Sequence, residues 1–563
     1  MPAHHAPRAA ARQKPSSMPY GKYTPFADRV PVRRVEERQW IDRPLDSAPL
    51  WCSVDLRDGN QALAQPMAPH QKTAFFDLLV GVGFKDIEVG YPAASAADLG
   101  FVRRLATVGQ VPADVVPSVF TAIRPDLIQR TFDAVQGMAQ VTVHLCNATA
   151  PLWRERVLRM ELSALERAVT EAARTARALA ARHEGEIGFE YSPEVFNATE
   201  PEVALRICEL AVELLGGDSK RPVIVNLPAT VEAASPDVFA DQVEWFHENL
   251  QDRSAVVLSV HGHNDRGTAV AATELALRAG AERVEGCLFG NGERTGNVCL
   301  TTLALNLFSQ GVDPMLELGD LAGIERTYEE CTGVRIPERH PYVGRLVHTA
   351  FSGTHQDAIN KALDWREHTG EISWNIPYLP VDPRDLGRDY DEIIRINAQS
   401  GKGGISYLLR VELGMVLPQR CLVDFSRAVQ AWADTTGGEV TADDLWKLFG
   451  QRYIRSDGIA VPVDVTVGVG EDGRGTCLQA RMPTGSTARR VVAESLPAAL
   501  GSWASEVLGR GVMVREAEEV RGPDGEEIGL VEVGDGRQWQ WSAAMCGASA
   551  PARYLAAVLA GLA

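Results

Sequence analysis

The chain has 563 residues, 45% of them hydrophobic and 23% charged, a globular balance on a length too great for one compact core. Asp and Glu number 74 against 56 Lys and Arg, and the net charge of -18 argues against nucleic acid as a partner. No apolar run reaches the roughly 20 residues that span a bilayer, so a soluble protein without a membrane partner is expected.

The N-terminal stretch MPAHHAPRAAARQKPSS is basic and rich in Ala and Pro, and no apolar segment follows it. Residues 1–49 therefore read as a loose tail and arm, not a secretion signal. From residue 50 to about 310 one unit repeats: a β-branched run, a polar end, a helical segment. Strands are expected at 50–56, 86–91, 115–121, 141–145, 187–191, 222–226, 255–260 and 283–289. Helices such as 161–182 and 201–215 lie between them, apolar at three- and four-residue steps. Eight alternations are what an α/β fold of the (β/α)8 TIM-barrel type requires. A doubly wound sheet has fewer strands and a phosphate-binding Gly loop after the first, which this chain lacks. The barrel is assigned to residues 50–340.

Beyond it, 341–455 reads as a helical linker region with Pro- and Gly-rich joints (YLPVDPRD, SGKGG). Residues 456–563 read as a small C-terminal α+β domain of regulatory type. Its strands are expected in VPVDVTVGV, TCLQARM, GVMVREAEEV, EIGLVEV and RQWQWSAAM, with helices near 487–507 and 550–562. A ββ(β)α pattern thus occurs twice.

Barrel active sites occupy the face where strands end. The expected ends are polar throughout: Arg57, Asp58, Asn60 and Gln61, then Glu88, Thr121 and His144, and Glu190, Ser192 and Glu194. Thr230, His261, His263, Asn264, Asp265, Asn291 and Glu293 complete the ring. In HGHND, residues two apart on a strand share a face, so His261 and His263 aim into the mouth together. Alone, such a pair is as well explained by hydrogen-bonded histidines. Asp58 from the first strand would complete a divalent-metal site, and one Asp with two His suits zinc, manganese or, with added waters, magnesium.

Arg57 would place a fixed positive charge beside an oxygen that becomes negative, or form an ion pair with Glu88 or Asp58. In GNGERTGN, Gly292 and Glu293 lie in a loop that lets a cofactor approach the backbone, while Asn297 either caps the next helix or reaches the metal. Glu194, past the fifth strand in FEYSPE, would serve as a general base if burial raises its pKa. Thr230 would bind a substrate carboxylate or cap a helix. Barrel hydrolases also use HxH with a carboxylate, but there the pair usually follows the first strand and here it follows the seventh.

LRDGNQ, FEYSPE, NLPATVE, HGHNDRGTA and GCLFGNGERTGNV, in this order on successive strands, resemble the α-isopropylmalate synthases of the metal-dependent, pyruvate-lyase-like TIM-barrel group. The likeness continues through RHPY, AFSGTHQDAINK, YLPVDPRDLGR and INAQSGKGG, over roughly residues 20–415. It implies a Claisen-type condensation of acetyl-CoA with 3-methyl-2-oxobutanoate, the first committed step of leucine biosynthesis. Residue by residue, it implies that Asp58, His261 and His263 bind the metal with Asn297 close by. Arg57 would stabilise the alkoxide, Thr230 would hold the substrate carboxylate, and His144 and Ser192 would line the keto-acid pocket. Deprotonation of acetyl-CoA would fall to Glu194, His355 and Tyr390, the last two supplied by the partner subunit of a homodimer.

The C-terminal layout resembles a leucine-sensing domain, which makes leucine an expected effector, although MPTGSTA and MCGASAP match its glycine-rich junctions poorly. In HLCNATA, Cys146 stands where an aromatic residue is expected. The smaller side chain would enlarge the pocket, so a synthase for a related 2-alkylmalate is the second reading. Nine scattered cysteines without a CxxC pair predict reduced thiols and a cytoplasmic location.

Overall fold

Eight short runs rich in Val, Ile and Leu form parallel strands that close on themselves in chain order. They are β1 (Leu50–Ser53), β2 (Asp86–Gly90), β3 (Val116–Ala122), β4 (Gln140–Ala148), β5 (Glu186–Glu194), β6 (Val223–Ala229), β7 (Val256–Gly262) and β8 (Arg283–Gly286). Closure is made by β1 lying between β8 (Leu50 opposite Arg283) and β2 (Cys52 opposite Asp86). In this computed structural model the described residues are 38–108, 111–350, 352–388, 402–436, 440–454, 461–470, 473–484, 487–546 and 549–562, with residues 18, 22–23, 26 and 30–32 before them. The chain divides into two compact units, Met1–Gly344 and Arg345–Ala563.

The barrel's outer helices follow the apolar period. Helix Leu162–Ala180 buries Leu165, Val169, Ala172, Ala173 and Ala176, one stripe facing the strands. Helix Pro201–Leu215 starts on a proline, whose missing N–H costs nothing there, and ends at Gly216 in the left-handed region (φ 78°).

All eight strand ends differ from the expectation by one to three residues, and those of β1, β5 and β8 bear most on the site. β1 stops at Ser53, not 56, because buried Asp55 accepts hydrogen bonds from Ser53 Oγ and from the Leu288 N–H, both at 2.8 Å. The chain then makes one wide helical turn, Asp55–Gly59, which carries Arg57 and Asp58. β5 runs on to Glu194, so Ser192 and Glu194 stand on the strand itself rather than past it. β8 ends at Gly286 instead of 289: a Cβ there would meet Val298 O at 2.6 Å, and Cys287 pairs with Cys299.

In the second unit, helices Gly353–Thr369, Lys402–Val411, Gln419–Thr436 and Ala442–Tyr453 precede two antiparallel sheets. The first sheet holds β9 (Val463–Val469), β10 (Thr476–Arg481) and β11 (Arg489–Ala493), followed by helix Leu496–Leu508. The second holds β12 (Met513–Arg521), β13 (Glu527–Gly534) and β14 (Trp539–Ala544), followed by helix Ala550–Leu562. This is βββα twice. The helix expected near 487–507 is corrected: the β-branched pair Val491–Val492 lies in β11, and Ser495 caps the helix through its hydroxyl. β13 is buried on both faces, with Ile528 and Leu530 turned to the helical core and Val531 and Val533 to the sheet-and-helix core. No helix among the described residues is long and apolar enough to cross a membrane.

Candidate active site

At the strand ends of the barrel lies a cavity of about 240 Å³, lined by Arg57, Asp58, His144, Glu194, Thr230, His261 and His263 among others. The turn after β1 delivers Asp58. β7 delivers His261, and His263 follows just beyond the strand end. The two imidazole rings sit 5.2 Å apart, tilted by 31°. One ligand atom from each of the three side chains lies within 4.8 Å of the others, close enough to share an ion.

The surroundings fit a cation. His261 Nδ1 stands 3.0 Å from Glu285 Oε2, an acceptor, so this nitrogen carries the proton. His261 Nε2 lies 2.7 Å from Asn297 Oδ1, and against burial Glu285 and Asp58 raise the imidazole's pKa, so the surroundings favour positive charge at this point. Asn297 does not cap the next helix, where Cys299 does so. Its amide instead donates to Asp58 Oδ2 at 2.8 Å and to Asn291 O at 2.9 Å. His263 Nδ1 is buried with no hydrogen-bond partner among the described residues. Burial works to raise the Asp58 carboxyl, but Arg57 and the two imidazoles outweigh it and hold it at about 2. Burial and then the neighbouring His261 lower His263 to about 4, which leaves it neutral and able to ligate.

Arg57 combines both expected roles. Its Nε donates to Glu88, its Nη1 to Asp58 Oδ1 at 2.6 Å, and its plane lies over the Phe120 ring at 4.6 Å. Arg57 still borders the cavity. His144 bridges Glu88 Oε1 and Ser192 Oγ, each at 2.7 Å, and Ser192 also accepts from Asn226 Nδ2. These two residues form a fixed wall. Thr230 caps no helix; its hydroxyl accepts from the Val195 N–H at 2.9 Å and keeps its own proton to donate. The Glu194 carboxylate has no hydrogen-bond partner among the described residues, and burial raises its pKa.

Gly292 sits behind Asn297, where a Cβ would come within 2.4 Å of the amide nitrogen, so only glycine lets Asn297 take its place. Glu293 is at the rim, 3.4 Å from Gln61 Nε2. His355 belongs to the second unit, exposed on helix Gly353–Thr369 and stacked on Tyr378 with ring centroids 3.9 Å apart. Tyr390 lies outside the described residues.

Sequence reasoning missed the support beneath Asp58, His261 and His263. Glu285 and Arg283 alternate on β8 and both point inward, almost wholly buried. Arg283 donates to Glu285 Oε1 at 2.7 Å, Ser259 Oγ at 3.0 Å and Asp86 Oδ2 at 2.5 Å. The available signal was two opposite charges, two residues apart, inside an apolar run.

The chain is similar to known proteins along most of its length. A family profile described as HMGL-like matches residues 48–327, and one described as alpha-isopropylmalate synthase, post-catalytic domain-like, matches 345–410. A 2-isopropylmalate synthase of Nocardia farcinica is 50% identical over 557 residues, covering 96% of this chain and 92% of that protein. Those of Mycobacterium ulcerans (51% identical, 78% of this chain and 79% of that one) and Paraburkholderia xenovorans (52%, 76% and 74%) agree with it. An identity near one half, sustained from the barrel into the second unit, shows that the chain belongs to the 2-isopropylmalate synthase family.

Proposed function

We propose that the chain condenses acetyl-CoA with 3-methyl-2-oxobutanoate to give 2-isopropylmalate and CoA, the step that commits carbon to leucine. The observation that carries the reading is the convergence of Asp58, His261 and His263 within 4.8 Å in the barrel mouth. A divalent cation there (zinc, manganese or magnesium) would hold the 2-oxo acid through its carboxylate and keto oxygens and polarise the ketone.

The chain's own groups do the rest. Glu194, unpartnered and with a raised pKa, takes a proton from the acetyl methyl group. Arg57 stabilises the negative charge that grows on the former ketone oxygen as the carbon–carbon bond forms. Thr230 donates its hydroxyl proton to the substrate carboxylate, while His144 and Ser192 hold the wall against which the oxo acid packs. Water then cleaves the thioester and releases CoA. His355 and Tyr390 act in the same proton transfer from the partner subunit, so the working form is a homodimer. Gly292 and Glu293 contribute to the acetyl-CoA approach, the C-terminal βββα pair receives leucine, and the protein works in the cytoplasm, where its unbonded cysteines stay reduced.

A thiol-release assay with acetyl-CoA and a panel of 2-oxo acids tests the reaction. 3-Methyl-2-oxobutanoate should turn over fastest, and a chelator should stop it. Cys146 borders the cavity, so a bulkier 2-oxo acid that outruns it would make the chain a related 2-alkylmalate synthase instead.

Glu285 sets the tautomer of His261 and is a positioning residue. Glu285→Gln should weaken divalent-metal binding by about 10–100-fold, measured calorimetrically on chelator-stripped protein. Unchanged affinity would show that the His261 ring is oriented by other contacts.

A further inference from the structure

Lys72, on helix Pro69–Val82, is only 2% exposed, an uncommon place for an ammonium. Its Nζ donates to Asp98 Oδ1 at 2.7 Å and to the Leu56 carbonyl at 3.2 Å. It also lies 5.4 Å from the centre of the Phe101 ring. Leu56 is the residue before Arg57, inside the wide turn that also carries Asp58.

Asp98, in the first turn of helix Ala96–Val108, reaches a different segment. Its Oδ2 accepts from the Tyr91 N–H at 2.9 Å, just past the end of β2. Gly90 makes this approach possible, since a Cβ there would stand 3.2 Å from the Asp98 carboxylate. Tyr91 borders the cavity, and its ring meets Phe120 edge-on with centroids 5.0 Å apart. Phe120 in turn lies under Arg57. One ion pair, buried behind the strand ends, thus reaches the backbone of two segments that line the mouth.

Stability alone is a poor reason for such a pair. Taking an ammonium and a carboxylate out of water costs about as much as their attraction returns, and apolar side chains of like volume often serve a fold equally well. Apolar side chains cannot hold the Leu56 carbonyl and the Tyr91 amide at fixed points. We propose that Lys72 and Asp98 are positioning residues that fix the turn bearing Arg57 and Asp58, together with the Tyr91 wall. The catalytic consequence rests on the condensation proposed above; the placement of the turn does not.

The test is Lys72→Met/Asp98→Leu in the full-length protein, which removes both charges and leaves neither buried alone. Its thermal midpoint should stay within a few degrees of wild type. Hydrogen exchange in the metal-free protein should nevertheless quicken by about tenfold or more at the amides of residues 57–61, and not along β5 to β7. CoA release should show kcat lower by about 10–100-fold, and calorimetry on chelator-stripped protein a divalent-metal affinity lower by about tenfold. Exchange at 57–61 equal to wild type overturns the proposal, whatever reaction the protein carries out. A kcat and a metal affinity both within about threefold of wild type also overturn it. So does a collapse of the midpoint in the double variant, because the pair would then be needed for stability itself. A wild-type protein that releases no CoA with any 2-oxo acid would remove the condensation, and the exchange comparison would still decide the placement of the turn.

Discussion

His261→Ala should lower kcat/KM for CoA release by about 10³-fold or more, because it removes one of the three proposed metal ligands, the one oriented by Glu285. The thiol-release assay reads the loss, and elemental analysis of dialysed protein should show the metal gone. The fold should survive. Glu285, deprived of the imidazole, still receives the Arg283 guanidinium at 2.7 Å and is not left as an unpaired buried charge. The thermal midpoint of the metal-free variant should therefore stay within a few degrees of metal-free wild type. Unchanged turnover in a folded, metal-free His261→Ala protein would overturn the site assignment. A collapse of the midpoint in the metal-free comparison would instead show that His261 is a structural member of the Arg283–Glu285 network.

How much of this was legible in the sequence depended on whether a residue's role is local. His261 and His263 could be read because a strand repeats every two residues, so HGH on any β-strand puts both rings on one face. The barrel itself followed from eight alternations of a β-branched run with a segment apolar at three- and four-residue steps. Strand ends were less legible, since they are set by distant groups: the end of β1 answers to the Leu288 N–H, which lies 233 positions along the chain. The misplaced helix near 487–507 has the same origin, because pairing with β10 fixes Arg489–Ala493 as a strand, to which the short β-branched pair Val491–Val492 adds only a local preference. Least legible were Arg283 and Glu285. Charges within a β-strand usually face solvent, and only closure of the barrel turns these two inward toward Asp86 and His261.

Arg57→Lys should lower kcat by about 10²–10³-fold while KM for the 2-oxo acid moves only a few-fold. The planar guanidinium reaches Glu88 through Nε and Asp58 through Nη1 at once, with its central carbon over the Phe120 ring. An ammonium is a single point charge. It satisfies one carboxylate, leaves the other with only its hydrogen bond to His144 or Asn297, and cannot stay aimed at the oxygen where charge develops. The pH dependence should move as well. Arg57 is the largest influence holding Asp58 down at about 2 against burial, so weakening it raises that carboxyl. A protonated Asp58 cannot ligate, and metal binding by Arg57→Lys should fail at a higher pH than in wild type as the solution is acidified. Steady-state kinetics at neutral pH and metal titrations across the acid range separate the two effects. A kcat within about threefold of wild type would mean that the positive charge alone suffices there and the fork geometry contributes nothing.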